Sequence, residues 1–238
     1  MPPIALLARA RKALAAAADP ARAPGMQAYM KSEMPYHGVS SVPFKKLAKE
    51  LLREHAFTTR EAWEADVLAV WRGARFREER YVALHLAGDK RAAAFRTPAA
   101  LSMYEELVTS GAWWDYVDDI ATHQIGPMFE AHERAMKPKM LAWSRSPDMW
   151  KARTSIICQV ARKGKTDLQL LYTCIEPSLA SKEFFLRKAI GWALRAYAWH
   201  DPAEIVRYVN EQGERLSGLS RREALINVEG RRKPSRGR

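Results

Sequence analysis

The sequence predicts an all-α fold, and three observations carry that expectation. Apolar residues recur at helical spacing, capping residues and prolines open one segment after another, and no Asn-Gly or Asp-Gly turn joins alternating runs. The opening MPPIALLARARKALAAAADP has a short apolar stretch broken by Arg9, Arg11 and Lys12, so it reads as an amphipathic helix rather than a secretory signal. Phe44, Leu47, Ala48, Leu51 and Leu52 fall on one helical face, with Ser41 as the expected cap and Val42 and Pro43 in the first turn. Thr58 with Glu61, Asp201 with Glu204 and Ser220 with Glu223 have capping-box spacing. Thr97–Pro98, Ser146–Pro147 and Asp201–Pro202 each put a capping residue before a proline, while Gly111, Gly126 and Gly164 sit where helices are expected to stop. Leu186, Ile190, Ala193, Leu194 and Tyr197 form a further apolar face. Roughly ten to twelve helices joined by short linkers are expected, as a bundle or a stack of two-helix units. No shift in composition marks a boundary, so residues 1–228 are expected to form one domain followed by a basic, disordered tail over 229–238.

The 238 residues carry 39 basic and 27 acidic side chains, a net charge of +12. The last eighteen residues hold seven basic and two acidic groups, so +5 belongs to the terminus and +7 to the rest. Between Arg145 and Lys165, six basic residues face one acid, Asp148. A local excess of this kind suits a phosphate backbone. Cys158 and Cys174 are the two cysteines, too few for a disulfide scaffold or a four-cysteine zinc site, and both are expected as buried thiols. No apolar run has bilayer length, and the chain is expected in the cytoplasm, near the nucleoid.

Familiar catalytic motifs are missing. His132–Glu133 begins like a metalloprotease helix, but Met136 stands where the second histidine belongs. Gly164-Lys165-Thr166 echoes a P-loop, yet Gln159 occupies the earlier glycine position and no strand precedes it. Neither a GxSxG elbow nor a GxGxxG fingerprint occurs. Any reaction is therefore expected to need no metal, no cofactor and no activated serine. What stands out is aromatic. The eight tryptophans are a high count, and Gly111-Ala-Trp-Trp-Asp-Tyr-Val-Asp-Asp-Ile120 is the densest segment. On a helix Trp114 and Asp118 share a face, with Asp115 and Asp119 on the adjacent row and Trp113 and Val117 turned inward. Taken alone, such a pair is more often core packing and capping than a site. Lys188, Trp192 and Arg195 fall at i, i+4 and i+7, about a quarter turn from the apolar stripe, an arrangement suited to a sugar or base contact.

The strings MQAYMKSEMPYHGV, WWDYVDDI, MWKARTSII, SKEFFLRKAIGWALRAYA and LSRREA closely resemble the AlkD family of DNA alkylation-repair glycosylases, over most of the chain from about Met26 to Ala224 and in the family's order. The resemblance implies a right-handed α-α superhelix of HEAT-like helical pairs with a basic concave groove for duplex DNA. It implies a monomeric, monofunctional glycosylase of base-excision repair that hydrolyses the N-glycosidic bond of N3- and N7-alkylated purines such as 3-methyladenine and 7-methylguanine. By the same resemblance Asp118 is the catalytic carboxylate, and Trp114 and Trp192 face the damaged nucleotide's deoxyribose. Arg153 would hold the DNA backbone nearby, and Tyr29 would line the same cleft. Lys188 and Arg195 join the DNA-binding set through their placement around Trp192. The basic tail, the Thr154–Ser155 pair and Asp119 depart from the family's pattern.

Elementary chemistry agrees with this assignment. Alkylation at N3 or N7 makes the purine cationic, so it leaves neutral without a general acid. The barrier that remains is an oxocarbenium-like sugar, which a carboxylate and two indole faces stabilise. A HEAT-like DNA-binding protein without activity and a protein-interaction scaffold are the alternative classes. Intact Asp118, Trp114 and Trp192 speak against the first, and salt-sensitive DNA affinity would speak against the second.

Overall fold

The computed structural model describes residues 3–228, and every regular element among them is a helix. The tail expected over 229–238 lies outside the described residues. The helices group into two compact units, one ending at Met103 and one beginning at Tyr104.

The first unit holds α1 (Pro3–Ala16), α2 (Ala23–Met30), α3 (Ser41–Leu52), α4 (Arg60–Gly73) and α5 (Arg77–Ala87). Helix α1 packs on α3, α4 and α5, and α4 packs on α5. Leu6, Leu14, Trp63, Val67, Trp71, Val82 and Leu86 fill the centre. The apolar face expected on α3 is buried at Phe44, Ala48, Leu51 and Leu52. Two carboxylates at the head of α5, Glu78 and Glu79, are also fully buried. Burying a charge costs several kcal/mol unless it is paired, and both are. Glu78 accepts the backbone N–H groups of His37, Gly38 and Val39 at 3.0, 2.9 and 3.2 Å. Glu79 takes the Arg11 guanidinium at 3.1 Å and the Arg75 backbone N–H at 2.7 Å. These acids pin the 37–39 loop and α1 to α5.

The chain continues through α6 (Leu101–Gly111), α7 (Trp114–Asp119), a π-helical stretch (Ile120–Ile125), α8 (Gly126–Ala131), α9 (Glu133–Ser144), α10 (Met149–Ile157), α11 (Leu168–Ile175), α12 (Phe184–Ala198), α13 (Pro202–Gln212) and α14 (Gly218–Leu225). Helix α12 is the hub of the second unit and packs on α10, α13 and α14. Its expected apolar face is buried throughout. Cys158 and Cys174 are buried free thiols. No helix among the described residues is long and apolar enough to cross a membrane.

Several expected boundaries move. Ser40, not Ser41, caps α3, without a side-chain hydrogen bond. Thr59, not Thr58, caps α4 and accepts the Ala62 N–H at 3.1 Å. Ser217, not Ser220, caps α14, and the buried Ser220 hydroxyl instead donates to the Arg187 carbonyl at 2.9 Å. Asp148, not Ser146, caps α10, and Pro147 stays outside the helix. Where two capping residues stand within a turn of each other, spacing alone does not select between them. Gly164 belongs to a 3-10 turn (Lys163–Lys165). Gly126 ends nothing: the backbone stays helical from Trp114 to Ala131, and a Cβ there would lie 2.7 Å from the Cys158 carbonyl oxygen. It is the close approach of α10's end that requires this glycine.

Gly191 has the same role between α12 and α14. A Cβ at this position would meet the Glu223 Cβ at 2.3 Å and the Ser220 carbonyl oxygen at 3.0 Å. Glu223 then reaches around the contact to both Lys188, at 2.8 Å, and Arg195, at 2.6 Å. Burial alone would raise the Glu223 pKa, but the two cations hold it below the usual carboxylate range. Gly191→Ala is expected to lower folding stability by about 1–3 kcal/mol by overpacking, outweighing the ~1 kcal/mol gained in helix propensity. Urea unfolding measures it; unchanged stability would mean that α14 moves aside freely.

Candidate active site

Helix α6 ends at Gly111, Ala112 turns through a left-handed conformation at φ 42°, and Trp113 leads in extended geometry into α7. That turn fixes the rotation of α7. Tyr116, Val117, Ile120 and Ala121 face the interior, which leaves Asp118 at the flank, its side chain 21 % exposed. Directly beyond it the helix widens into its π-helical stretch, and the Thr122 hydroxyl donates to the Asp118 carbonyl at 2.7 Å. Local π geometry of this kind recurs at functional sites because it re-aims side chains.

From α10, Arg153 closes on Asp118 as a fork. Its Nε donates to Oδ1 and its Nη2 to Oδ2, both at 2.7 Å, while Nη1 donates to the Phe185 carbonyl at 2.5 Å. Three helices therefore meet at one ion pair, and the Arg153 side chain is 5 % exposed. Beneath the pair lies an aromatic floor of Trp113, Trp150 and Phe185, with ring centroids 5.0–6.2 Å apart. Burial pushes the Asp118 carboxyl above the usual aspartate range. Arg153 opposes that rise and the nearby Asp115 adds to it. The arrangement is a carboxylate locked in orientation, open on one side, in surroundings that strengthen its field.

The other expected site residues are distributed as follows. Trp114, the first residue of α7, is half-buried. Trp192 is half-buried on α12 and forms one wall of a cavity of about 740 Å³. Lys188 and Arg195 do share a face around it, but both are engaged by Glu223. Tyr29 belongs to α2 in the first unit and is 75 % exposed. Arg153 is the residue whose setting differs most from expectation: its guanidinium serves the carboxylate and the α12 backbone rather than standing in solvent. Sequence reasoning missed Phe185, Trp113 and Trp150 as the floor, and Glu223 as the clamp. Trp150 and Arg153 at i, i+3 was an available signal; Glu223 stands in the LSRREA string, but nothing in the sequence points from it to Lys188 and Arg195.

The model of the family described as "DNA alkylation repair enzyme" matches residues 10–228. The chain belongs to this family. A search of curated protein sequences finds no match. Among solved structures the chain is similar to a predicted DNA alkylation repair enzyme from Enterococcus faecalis, at 28 % identity and a TM-score of 0.81, over 90 % of this chain and 97 % of that one. Membership of the DNA alkylation repair enzyme family gives the chain a role in DNA repair, with DNA as its partner, and its all-α architecture is similar to that of this solved structure. The ion pair of Asp118 and Arg153 lies well within the matched residues.

Proposed function

We propose that the chain is a DNA glycosylase that hydrolyses the N-glycosidic bond of cationic N3- and N7-alkylated purines in duplex DNA. The observation that carries this reading is the half-open Asp118 carboxylate held by Arg153 over an aromatic floor. A carboxylate has about four lone-pair positions, and the Arg153 fork occupies one on each oxygen. The remaining pair on the open side faces whatever enters. As the bond to a cationic base stretches, positive charge moves onto C1′ and the ring oxygen. Asp118 stabilises that charge by electrostatics and orients the water that captures it, and the proton which that water sheds on bonding to C1′ passes to the carboxylate and on to solvent. The released base already carries the electrons of the broken bond as a neutral purine, so no proton donor is needed. Trp114 and Trp192 contribute indole faces to the sugar in this reading.

The chemistry requires ionised Asp118. Because its pKa is raised, the ionised fraction falls as pH drops through that raised value, and activity falls with it. The acid limb of the excision rate is therefore expected above ~4, the ordinary aspartate value, and a limb at or below it would contradict the buried setting.

DNA affinity should fall linearly in log–log form with salt, at a slope of about −0.9 per phosphate contacted. Filter binding or fluorescence anisotropy on an undamaged duplex measures it. A flat dependence would remove the nucleic-acid reading, and release of 7-methylguanine from methylated duplex DNA tests the glycosylase reading itself.

A further inference from the structure

Beyond the Asp118 pair, the second unit contains a cavity of about 740 Å³, within the ~300–1,000 Å³ common for ligand sites. Trp192, Arg195, Trp199 and His200 line it from α12 and the residues that follow, Lys163 from the 3-10 turn after α10, and Asn227 from the end of α14. Its chemistry is cationic and aromatic; Arg195 is engaged by Glu223, whereas Lys163 is uncommitted. In the same turn Arg162 pairs with Glu133 and Lys165 with Glu130, whereas Lys163 makes no ion pair among the described residues. Lys163 is also held at φ 53°, a left-handed conformation that non-glycine residues rarely adopt and that tends to persist at functional positions. The His200 ring lies against Gly164, which keeps the imidazole beside Lys163. Trp199 is 67 % exposed, a large apolar surface left open among the described residues.

Helix periodicity connects this cavity to the candidate active site. Phe185 and Trp192 on α12 and Trp199, the residue that caps it in helical geometry, are spaced by seven residues, so they fall on one stripe at intervals of about 10.5 Å of helical rise. The Phe185 carbonyl holds Arg153 at one end of that stripe, and Trp199 stands at the other.

We propose that this cavity is a second DNA subsite, which takes the phosphate and sugar of a flanking nucleotide. Lys163 and His200 meet the phosphate and Trp199 packs against the sugar or an adjacent base. An exposed indole beside an unpaired lysine is the combination that binds a nucleic-acid strand; an acidic peptide would use the lysine and leave the indole idle. At a rise of about 3.4 Å per nucleotide, the ~10.5 Å of helical rise between positions 192 and 199 corresponds to about three base-pair steps. The subsite rests on the glycosylase reading for its DNA, and it adds where the flank is held.

The test is a titration of a fluorescent duplex at several salt concentrations with the full chain, Lys163→Gln, Trp199→Ala and, as a control outside the cavity, Lys165→Gln. Both cavity variants change exposed side chains, and circular dichroism checks that they fold. Lys163→Gln should weaken binding and make the salt slope shallower by about 0.9, one phosphate contact. Trp199→Ala should weaken binding about tenfold, and Lys165→Gln should change less than either. One neutral methylphosphonate linkage, moved along the flank, should erase the Lys163→Gln effect at one position. Cavity variants that bind like the full chain overturn the subsite while leaving the proposed function standing. Saturable binding of free deoxyadenosine monophosphate that duplex DNA does not displace also overturns it, in favour of a mononucleotide site. If the unaltered chain binds no duplex, the proposed function falls, and the subsite with it.

Discussion

Asp118→Asn is expected to lower single-turnover excision of 7-methylguanine by about 10²-fold or more, the typical cost of removing one preorganised electrostatic group. Duplex affinity should stay near that of the unaltered protein. The side chain keeps its shape, so substrate geometry survives while the charge that answers the oxocarbenium is gone. The structure adds a control. Asp119 points away from the Arg153 fork and pairs with His123 at 3.0 Å on the exposed side of the helix. Asp119→Asn should therefore have little effect on excision. If Asp119→Asn or Asp115→Asn caused the loss and Asp118→Asn did not, the carboxylate would be misassigned.

Arg153→Ala should be the most disruptive single change for the site's structure. It removes three hydrogen bonds at once, two to Asp118 and one to the Phe185 carbonyl. Stranding one member of a buried pair costs about 3–5 kcal/mol of stability; Asp118 keeps some solvent contact, which favours the lower end of that range. The stranded carboxyl should also titrate higher still, so the acid limb of any residual activity moves to higher pH. Arg153→Lys restores the charge but not the planar fork, and only partial recovery is expected. Urea unfolding of the two single variants and of the Asp118→Asn, Arg153→Ala pair closes a double-mutant cycle. A double variant no worse than Arg153→Ala alone marks the two residues as one unit, whereas additive losses would contradict the coupling drawn between them.

The fold class was legible because helix formation leaves local traces. Periodic apolar faces such as Leu186 to Tyr197 are a property of one segment, and burial followed from them. Boundaries were less legible where capping residues cluster, as at Ser40 and Ser41 or Thr58 and Thr59. The helices outnumber those expected partly because α7, the π-helical stretch and α8 share one continuous backbone path, a geometry that no residue pattern announces. As candidates, Asp118 and Trp192 stand out by helical spacing, and their roles are assigned only through long strings that resemble a family. Their surroundings are products of tertiary structure: Arg153 meets Asp118 across 35 residues, and Glu223 meets Lys188 across 35 more. A sequence displays the charge of Arg153, but not that Asp118 and a backbone carbonyl will already occupy it. The same holds for Glu78 and Glu79, which look like ordinary surface acids at the start of a helix and are instead buried anchors.

The most direct measurement is base release, under single-turnover conditions, from matched duplexes that each contain one lesion: 7-methylguanine, 3-methyladenine, hypoxanthine, uracil or 8-oxoguanine. A site built from a locked carboxylate and aromatic faces, with no assigned proton donor, lowers the barrier only for a base that already carries positive charge. Release of 7-methylguanine and 3-methyladenine is expected, with the three neutral bases left in place and the strand uncut. Efficient release of any neutral base, or no release of the two cationic ones, would contradict it.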